Sequence, residues 1–189
     1  MKLNYNKKAI QRRAGVDARN KIEPTTAATF SALISTKLHL SDFAKINTIL
    51  SYQAFGGEVD VSGFNEWAVS EGKIVAFPIC YEKGKMVAAF PNGDDAWETG
   101  KYGIRTPVES RSVILSPEDI ELVIVPCTAF CAVTKMRCGM GAGYYDRFLP
   151  KCKKAVTVSV AFESQRIDDL HIDNWDIPLD HIVTENSWY

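Results

Sequence analysis

Six apolar runs of strand length, separated by helical or loop segments, constrain this 189-residue chain more than any other feature. They cover residues 46–52, 73–79, 85–90, 120–126, 155–162 and 181–184, and most are β-rich. Strands that alternate with helices predict an α/β domain with a mostly parallel sheet. The third run follows the second after the turn Glu82-Lys83-Gly84, too short for a crossover, so that pair is expected to be an antiparallel hairpin.

Between and before these runs lie the helix signals. Lys7 to Ile22 is rich in Ala, Arg and Lys, and Pro24-Thr25-Thr26 starts a second helix in which Phe30, Leu33, Ile34 and Leu38 recur at helical spacing. Asp60 can cap a helix carrying Val61, Phe64, Trp67 and Ala68, and Ser116-Pro117-Glu118-Asp119 reads as another helix start. The length suits one domain over residues 1–189, and no repeat or linker interrupts it.

Charge and composition exclude several classes. A chain that is 46% hydrophobic is neither disordered nor collagen-like. A net charge of -1 gives no global attraction to nucleic acid or to an anionic membrane, so anion recognition must come from local clusters. One such cluster opens the chain, where Lys2, Lys7, Lys8, Arg12, Arg13, Arg19 and Lys21 face only Asp17. No apolar run approaches the ~20 residues of a membrane helix, and no signal core follows the basic start, so a cytosolic location is expected. Cys80, Cys127, Cys131, Cys138 and Cys152 are odd in number and contain no C-x-x-C pair, so they are expected to be reduced thiols. No obligate protein partner is indicated.

The most specific segment is Arg137-Cys138-Gly139-Met140-Gly141-Ala142-Gly143-Tyr144-Tyr145-Asp146-Arg147. Alternating glycines let backbone N–H groups approach a phosphate unobstructed, and a following helix start favours an anion. On spacing alone a tight turn is an equal reading, and the string matches neither the Rossmann nor the P-loop pattern. Lys8 and Arg12, four residues apart, share a helix face and can hold phosphates. A solvated basic helix and an RNA-binding surface are the competing readings of that cluster, although no aromatic platform is interleaved with it.

The glycine string with its Tyr-Tyr-Asp flank resembles the G-x-G-x-G-Y-Y-D signature of the 5-formyltetrahydrofolate cyclo-ligase family. Lys8 to Arg12 resembles that family's K-x-x-x-R helix, Tyr52 to Asp60 its Y-x(5)-E-[VI]-D/E segment, and Gly72 to Pro78 its G-K-x-V-x-x-P segment. The resemblance runs in the family's order over nearly the whole chain. There are departures: Cys131 follows Phe130 where the family usually has an aspartate, Cys138 replaces a leucine, and Ala142 stands where some members carry a basic residue.

The resemblance implies a three-layer domain of the NagB/RpiA/CoA-transferase-like type. It implies closure of 5-formyltetrahydrofolate to 5,10-methenyltetrahydrofolate, with ATP as co-substrate and magnesium as cofactor. Lys8, Arg12, Arg137, Arg147 and residues Gly139, Met140, Gly141, Ala142, Gly143, Tyr144 and Tyr145 would then hold ATP, with Arg137 and Tyr145 at the reacting centre. Gln53, Glu58, Trp97, Tyr102 and Tyr144 would contact folate, and Asp146 and Asp180 would hold magnesium. Two alternatives stay open: a paralogue acting on another small molecule, and a nucleotide- or folate-binding protein without turnover.

Overall fold

A computed structural model describes residues 2–189, with side chains described from residue 7 onward except that of residue 44. Lys2 of the basic cluster therefore has no described side chain. Seven strands form the main sheet in the order β11-β10-β7-β1-β2-β3-β6. In chain order these are β1 (Thr48–Leu50), β2 (Ile74–Cys80), β3 (Met86–Pro91), β6 (Ser112–Leu115), β7 (Leu122–Pro126), β10 (Val156–Val160) and β11 (His181–Val183). The first five in sheet order pair in parallel, β3 pairs antiparallel with β2, and β6 pairs antiparallel with β3. Two small hairpins, β4 (Trp97–Thr99) with β5 (Arg105–Pro107) and β8 (Ala129–Phe130) with β9 (Arg137–Cys138), stand apart from it.

The pleat sorts side chains onto two faces, and both are covered. Ile49, Val75, Ile124 and Val158 face α2 (Pro24–His39) and α3 (Ser62–Ser70), meeting Ile34, Leu38, Phe64 and Ala68. Leu50, Ala76, Val123 and Val125 point the other way, onto Phe148 and Leu149 at the end of α4 (Tyr144–Phe148) and onto Leu179. Each such side chain fully withdrawn from water contributes about 1.5–3 kcal/mol, and burial on both faces explains why the central strands read as unbroken apolar runs. The three layers and the mixed, mostly parallel sheet match the expected fold class.

The remaining helix, α1 (Lys2–Arg19), packs on β8, β9 and the turn at Glu163–Gln165, which follow the carboxyl ends of β7 and β10. Gly15 makes this docking possible: a Cβ built there would lie 1.9 Å from the Thr128 carbonyl oxygen.

Some expectations need correction. Ser116–Asp119 starts no α-helix; Pro117–Asp119 is a single 3-10 turn before β7, because Ile120 resumes extended backbone at once. Val61, not Asp60, occupies the cap of α3, although the Asp60 carboxylate accepts a hydrogen bond from the Ser62 amide at 2.9 Å. Leu33 lies 47% exposed, off the buried stripe of Ile34 and Leu38. The run behind the glycines makes a helix of only five residues, so little macrodipole stands behind the loop.

Candidate active site

Open α/β sheets bind ligands outside the carboxyl ends of their parallel strands, and the segments leaving those ends here carry most of the predicted residues. The stretch after β1 holds Tyr52, Gln53 and Glu58, the one after β2 holds Tyr81, and the one after β7 holds Cys127, the β8–β9 hairpin and the glycine loop.

The loop itself, residues 139–143, joins β9 to α4. Gly141 and Gly143 have φ of 102° and 69°, which side-chain-bearing residues rarely adopt. Met140 is 62% exposed at its crest. Arg12 lies along it: Nε donates to the Gly139 carbonyl at 2.7 Å, and a Cβ at Gly141 would meet the guanidinium at 3.2 Å. The structure therefore brings the predicted α1 arginine and the predicted loop into one cradle.

The other basic residues hold more than open space. Lys8 Nζ donates to Asp173 at 2.9 Å and to Asp176 at 2.6 Å, and its side chain is only 14% exposed. Burial alone would lower its pKa, but the hydrogen bonds to Asp176 and Asp173 outweigh it and the pKa is raised. Arg137 is buried beneath the loop, where it donates to Asp146 at 3.0 Å and to the Ile177 carbonyl at 3.1 Å. Arg147 Nη1 donates to the carbonyls of Ala142 and Gly143 at 2.7 and 2.6 Å, pinning the loop from the helix side.

Behind the loop sits a buried polar cluster. Glu58 accepts from the Phe55 amide at 3.1 Å and lies 4.0 Å from Nη1 of Arg19, whose side chain is 3% exposed. Burial raises the Glu58 pKa, opposed by Arg19 and by the Phe55 amide. Tyr145 has a buried hydroxyl with no partner, and burial, then Cys80 and Glu58, push its pKa far up. Tyr52 donates to the Val59 carbonyl at 2.5 Å, and burial followed by Glu58 and Tyr145 raises its pKa well above the usual phenol. The Cys127 thiol, pushed up to about 11 mainly by burial, is inert at neutral pH. Tyr144 donates to the Tyr81 carbonyl at 3.0 Å while its ring packs on the core.

Tyr102, 69% exposed, stands 5.6 Å from the Phe55 ring, so the turn joining β4 to β5 overhangs the segment after β1. Trp97 packs edge-on against Phe77 at 5.0 Å with Arg105 stacked 4.3 Å away, which makes it a wall residue backed by the core. Gln53 is half-buried on the same segment.

The two predicted metal ligands are not joined by any contact. Asp146 Oδ1 accepts from Arg137 and, at 3.5 Å, from the Ile177 amide. Asp180 precedes β11, at the amino ends of the strands, and its Oδ2 accepts from the Thr157 amide and hydroxyl at 2.8 Å each. That carboxylate caps the entry to β10, a task the sequence does not disclose. No group of three His, Cys, Asp or Glu among the described residues is placed to hold a metal, the clustered cysteines included, and all five cysteines are free. A groove of about 410 Å³ lined by Ser31, Ser35, His39, Asp60 and Trp67 among others lies between α2 and α3 and includes none of the predicted site residues.

Three comparisons bear on this arrangement. Residues 4–185 match the model of the 5-formyltetrahydrofolate cyclo-ligase family. The chain belongs to that family. A Haemophilus influenzae 5-formyltetrahydrofolate cyclo-ligase is 26% identical over 150 residues, covering 77% of this chain and 80% of the relative. A probable 5-formyltetrahydrofolate cyclo-ligase of Caenorhabditis elegans is 26% identical over 186 residues, covering 92% and 87%. The solution structure of Aquifex aeolicus 5,10-methenyltetrahydrofolate synthetase superposes with a TM-score of 0.83 at 30% identity, covering 96% of this chain and 91% of that one. The glycine loop and the Glu58 segment of this chain lie at one end of one sheet.

Several residues at this site escape a reading of the sequence. Arg19 looked like one more charge in a basic stretch, yet it lies seven residues, about two helical turns, beyond Arg12; that spacing was the available signal. Tyr52 is legible as the start of the Tyr52 to Asp60 segment, but not as a buried donor to the Val59 carbonyl. Asp173 and Asp176 partner Lys8 from 165 or more positions away, and nothing local in the sequence pairs them with it.

Proposed function

We propose that the protein closes 5-formyltetrahydrofolate to 5,10-methenyltetrahydrofolate at the expense of ATP. The observation that carries this reading is the juxtaposition of the Arg12-covered glycine loop with the buried Glu58–Tyr145–Arg19 cluster at the carboxyl end of the sheet. One half suits phosphates. The other suits a planar ring rich in N–H donors, since a carboxylate accepts two parallel hydrogen bonds.

A formyl amide is a poor electrophile because the nitrogen lone pair stabilises its carbonyl. In the proposed reaction the γ-phosphoryl group passes to the formyl oxygen, nitrogen 10 attacks the formyl carbon and gives up its proton, and the C–O bond breaks to release inorganic phosphate, which carries that proton away. Phosphoryl transfer asks a protein chiefly for positioning and for positive charge around the phosphates. Arg12 and the loop amides supply both. Tyr145, with an unpartnered hydroxyl that stays protonated at every physiological pH, is a neutral donor for an oxygen of the substrate. Tyr102, Phe55 and Trp97 form the aromatic wall.

Magnesium, which supplies charge neutralisation on the nucleotide when bound, needs only one or two carboxylates besides phosphates and waters. Asp146 fits that need, because one of its oxygens makes no described contact and it lies beside the loop. Asp180 does not, since it stands at the amino ends of the strands, opposite the loop, where Thr157 engages its carboxylate. No helix among the described residues is long and apolar enough to cross a membrane, and the five thiols are free; a cytosolic location belongs to the same proposal.

The test is turnover. Purified protein given ATP, magnesium and 5-formyltetrahydrofolate should produce the methenyl chromophore with one ADP per product. Folded protein that binds both ligands without product would refute the reaction, and product without ATP would refute the phosphorylated intermediate.

A further inference from the structure

We propose that Arg19 is a positioning residue for the folate substrate, holding the Glu58 carboxylate as a charged, double hydrogen-bond acceptor without consuming its oxygens. The proposal rests on the reading of Glu58 as a folate contact, and three features of the geometry lead to it.

First, the separation is wrong for a pair that serves only stability. Structural Arg–carboxylate pairs close to about 2.7–2.9 Å and are frequently bidentate, whereas Arg19 Nη1 stands 4.0 Å from Glu58 Oε1. At that distance the positive charge acts fully in a buried setting, while the lone pairs of Oε1 stay open. Oε2 takes one hydrogen bond, from the Phe55 amide.

Second, Arg19 is anchored from elsewhere. Nη1 donates to the Cys127 carbonyl at 3.4 Å, at the exit of β7, and the Gly57 turn lies over the guanidinium, with a Cβ there only 3.8 Å from Nε. Nε itself is a buried donor without an acceptor. Buried donors in native proteins are nearly always paired, so an orphan beside a carboxylate with open lone pairs belongs to a site rather than to a scaffold.

Third, apart from the single Phe55 amide, nothing facing Glu58 except Arg19 favours its charge. Tyr52 at the end of β1, Tyr145 on α4 and Cys127 after β7 all interact electrostatically with it. None of the three carries charge at neutral pH, and burial favours the protonated carboxyl. Protonated, Glu58 would present a donor to the substrate's ring N–H groups, which are donors themselves. Arg19 supplies the opposing positive charge.

The test compares Arg19→Met, Arg19→Lys, Glu58→Gln and the double variant Arg19→Met/Glu58→Gln with the wild-type protein. KM for each substrate and equilibrium binding of 5-formyltetrahydrofolate by tryptophan fluorescence are measured between pH 6 and 9. Arg19→Met should raise KM and Kd for folate about tenfold or more at pH 7, with KM for ATP nearly unchanged. The folate defect should shrink as pH rises and Glu58 regains its charge. Arg19→Lys should recover much of the loss, and the double variant should bind folate no worse than Glu58→Gln alone. A loss shared equally by both substrates and independent of pH, or no loss, would overturn the proposal. Should Arg19→Met fail to fold, folding of the double variant supports the coupling, whereas failure of both makes Arg19 a packing residue and overturns it. Wild-type protein that binds folate without turnover refutes the proposed reaction instead, and the binding arm still decides Arg19.

Discussion

Gly15 offers the sharpest test of how the site is held. Replacing glycine by alanine inside an exposed helix normally stabilises by about 0.8–1 kcal/mol. Here the added Cβ would lie 1.9 Å from the Thr128 carbonyl oxygen, 2.8 Å from its carbon and 3.0 Å from Ala129 Cβ. Real Cβ atoms stay beyond 3.0 Å, so α1 must lift from the β8–β9 hairpin by more than an ångström or the hairpin must give way. Overpacking of this kind costs about 1–3 kcal/mol, and cores transmit it because they are close-packed. Net of the helix gain, Gly15→Ala should destabilise by up to about 2 kcal/mol, lowering Tm by as much as about 8 °C for a chain of this size. Since α1 also carries Arg12 and Arg19, KM for both substrates should rise. Differential scanning fluorimetry with steady-state kinetics checks this, using Arg13→Ala on the exposed side of α1 as the control. A Gly15→Ala protein that melts at or above the wild type with unaltered kinetics would refute the claim that close approach at Thr128 sets the position of α1.

Other consequences are equally open to measurement. Arg12→Ala should raise KM for ATP by about 10- to 150-fold through loss of a charge-assisted hydrogen bond, with Tm nearly unchanged because its one described bond is exposed; unaltered ATP kinetics would return Arg12 to the solvated surface. Lys8→Ala should instead cost stability, about 3–5 kcal/mol, because it leaves Asp173 and the 6%-exposed Asp176 side chain without their cation. Since the folded pKa of Lys8 is raised above 10.5, that contribution is present throughout neutral pH and is lost only as pH climbs through the raised value, so the wild-type and Lys8→Ala melting curves should converge at strongly alkaline pH. Glu58→Gln should weaken folate use yet melt no lower than the wild type at pH 7. The folded pKa of Glu58 lies above 4.5, so ionising it lowers stability as pH rises through that value, and the difference in Tm should vanish below about pH 4.5. A marked fall in Tm at pH 7 would contradict this.

How much of this was legible in the sequence follows from which interactions are local. All six apolar runs became strands of the main sheet, and the central ones read unbroken because parallel strands buried on both faces need apolar residues at nearly every position. The hairpin at residues 81–85 was legible for a similar reason, since only a short antiparallel return fits so few residues. The edge strand β6 was missed: Val113 and Ile114 are 55% and 42% exposed, and an edge needs no apolar continuity. Also missed were β4 and β5, three residues each, held by pairing with each other rather than by composition.

The site divides along the same line. Glycine spacing and the Tyr-Tyr-Asp flank are contiguous, so the sequence alone determined that a glycine loop precedes a helix start there and which family it resembles. Tertiary structure alone decided the partners. It laid Arg12 on the loop across 127 positions, gave Lys8 to Asp173 and Asp176, turned Arg137 inward to Asp146, and set Asp180 to capping Thr157. It also placed Arg19 behind Glu58, 39 positions further along. A charged side chain announces that it needs a partner, but distance along the chain says nothing about which one; that choice belongs to the packing of α1 across the carboxyl ends of the strands, which a single close contact at Gly15 permits.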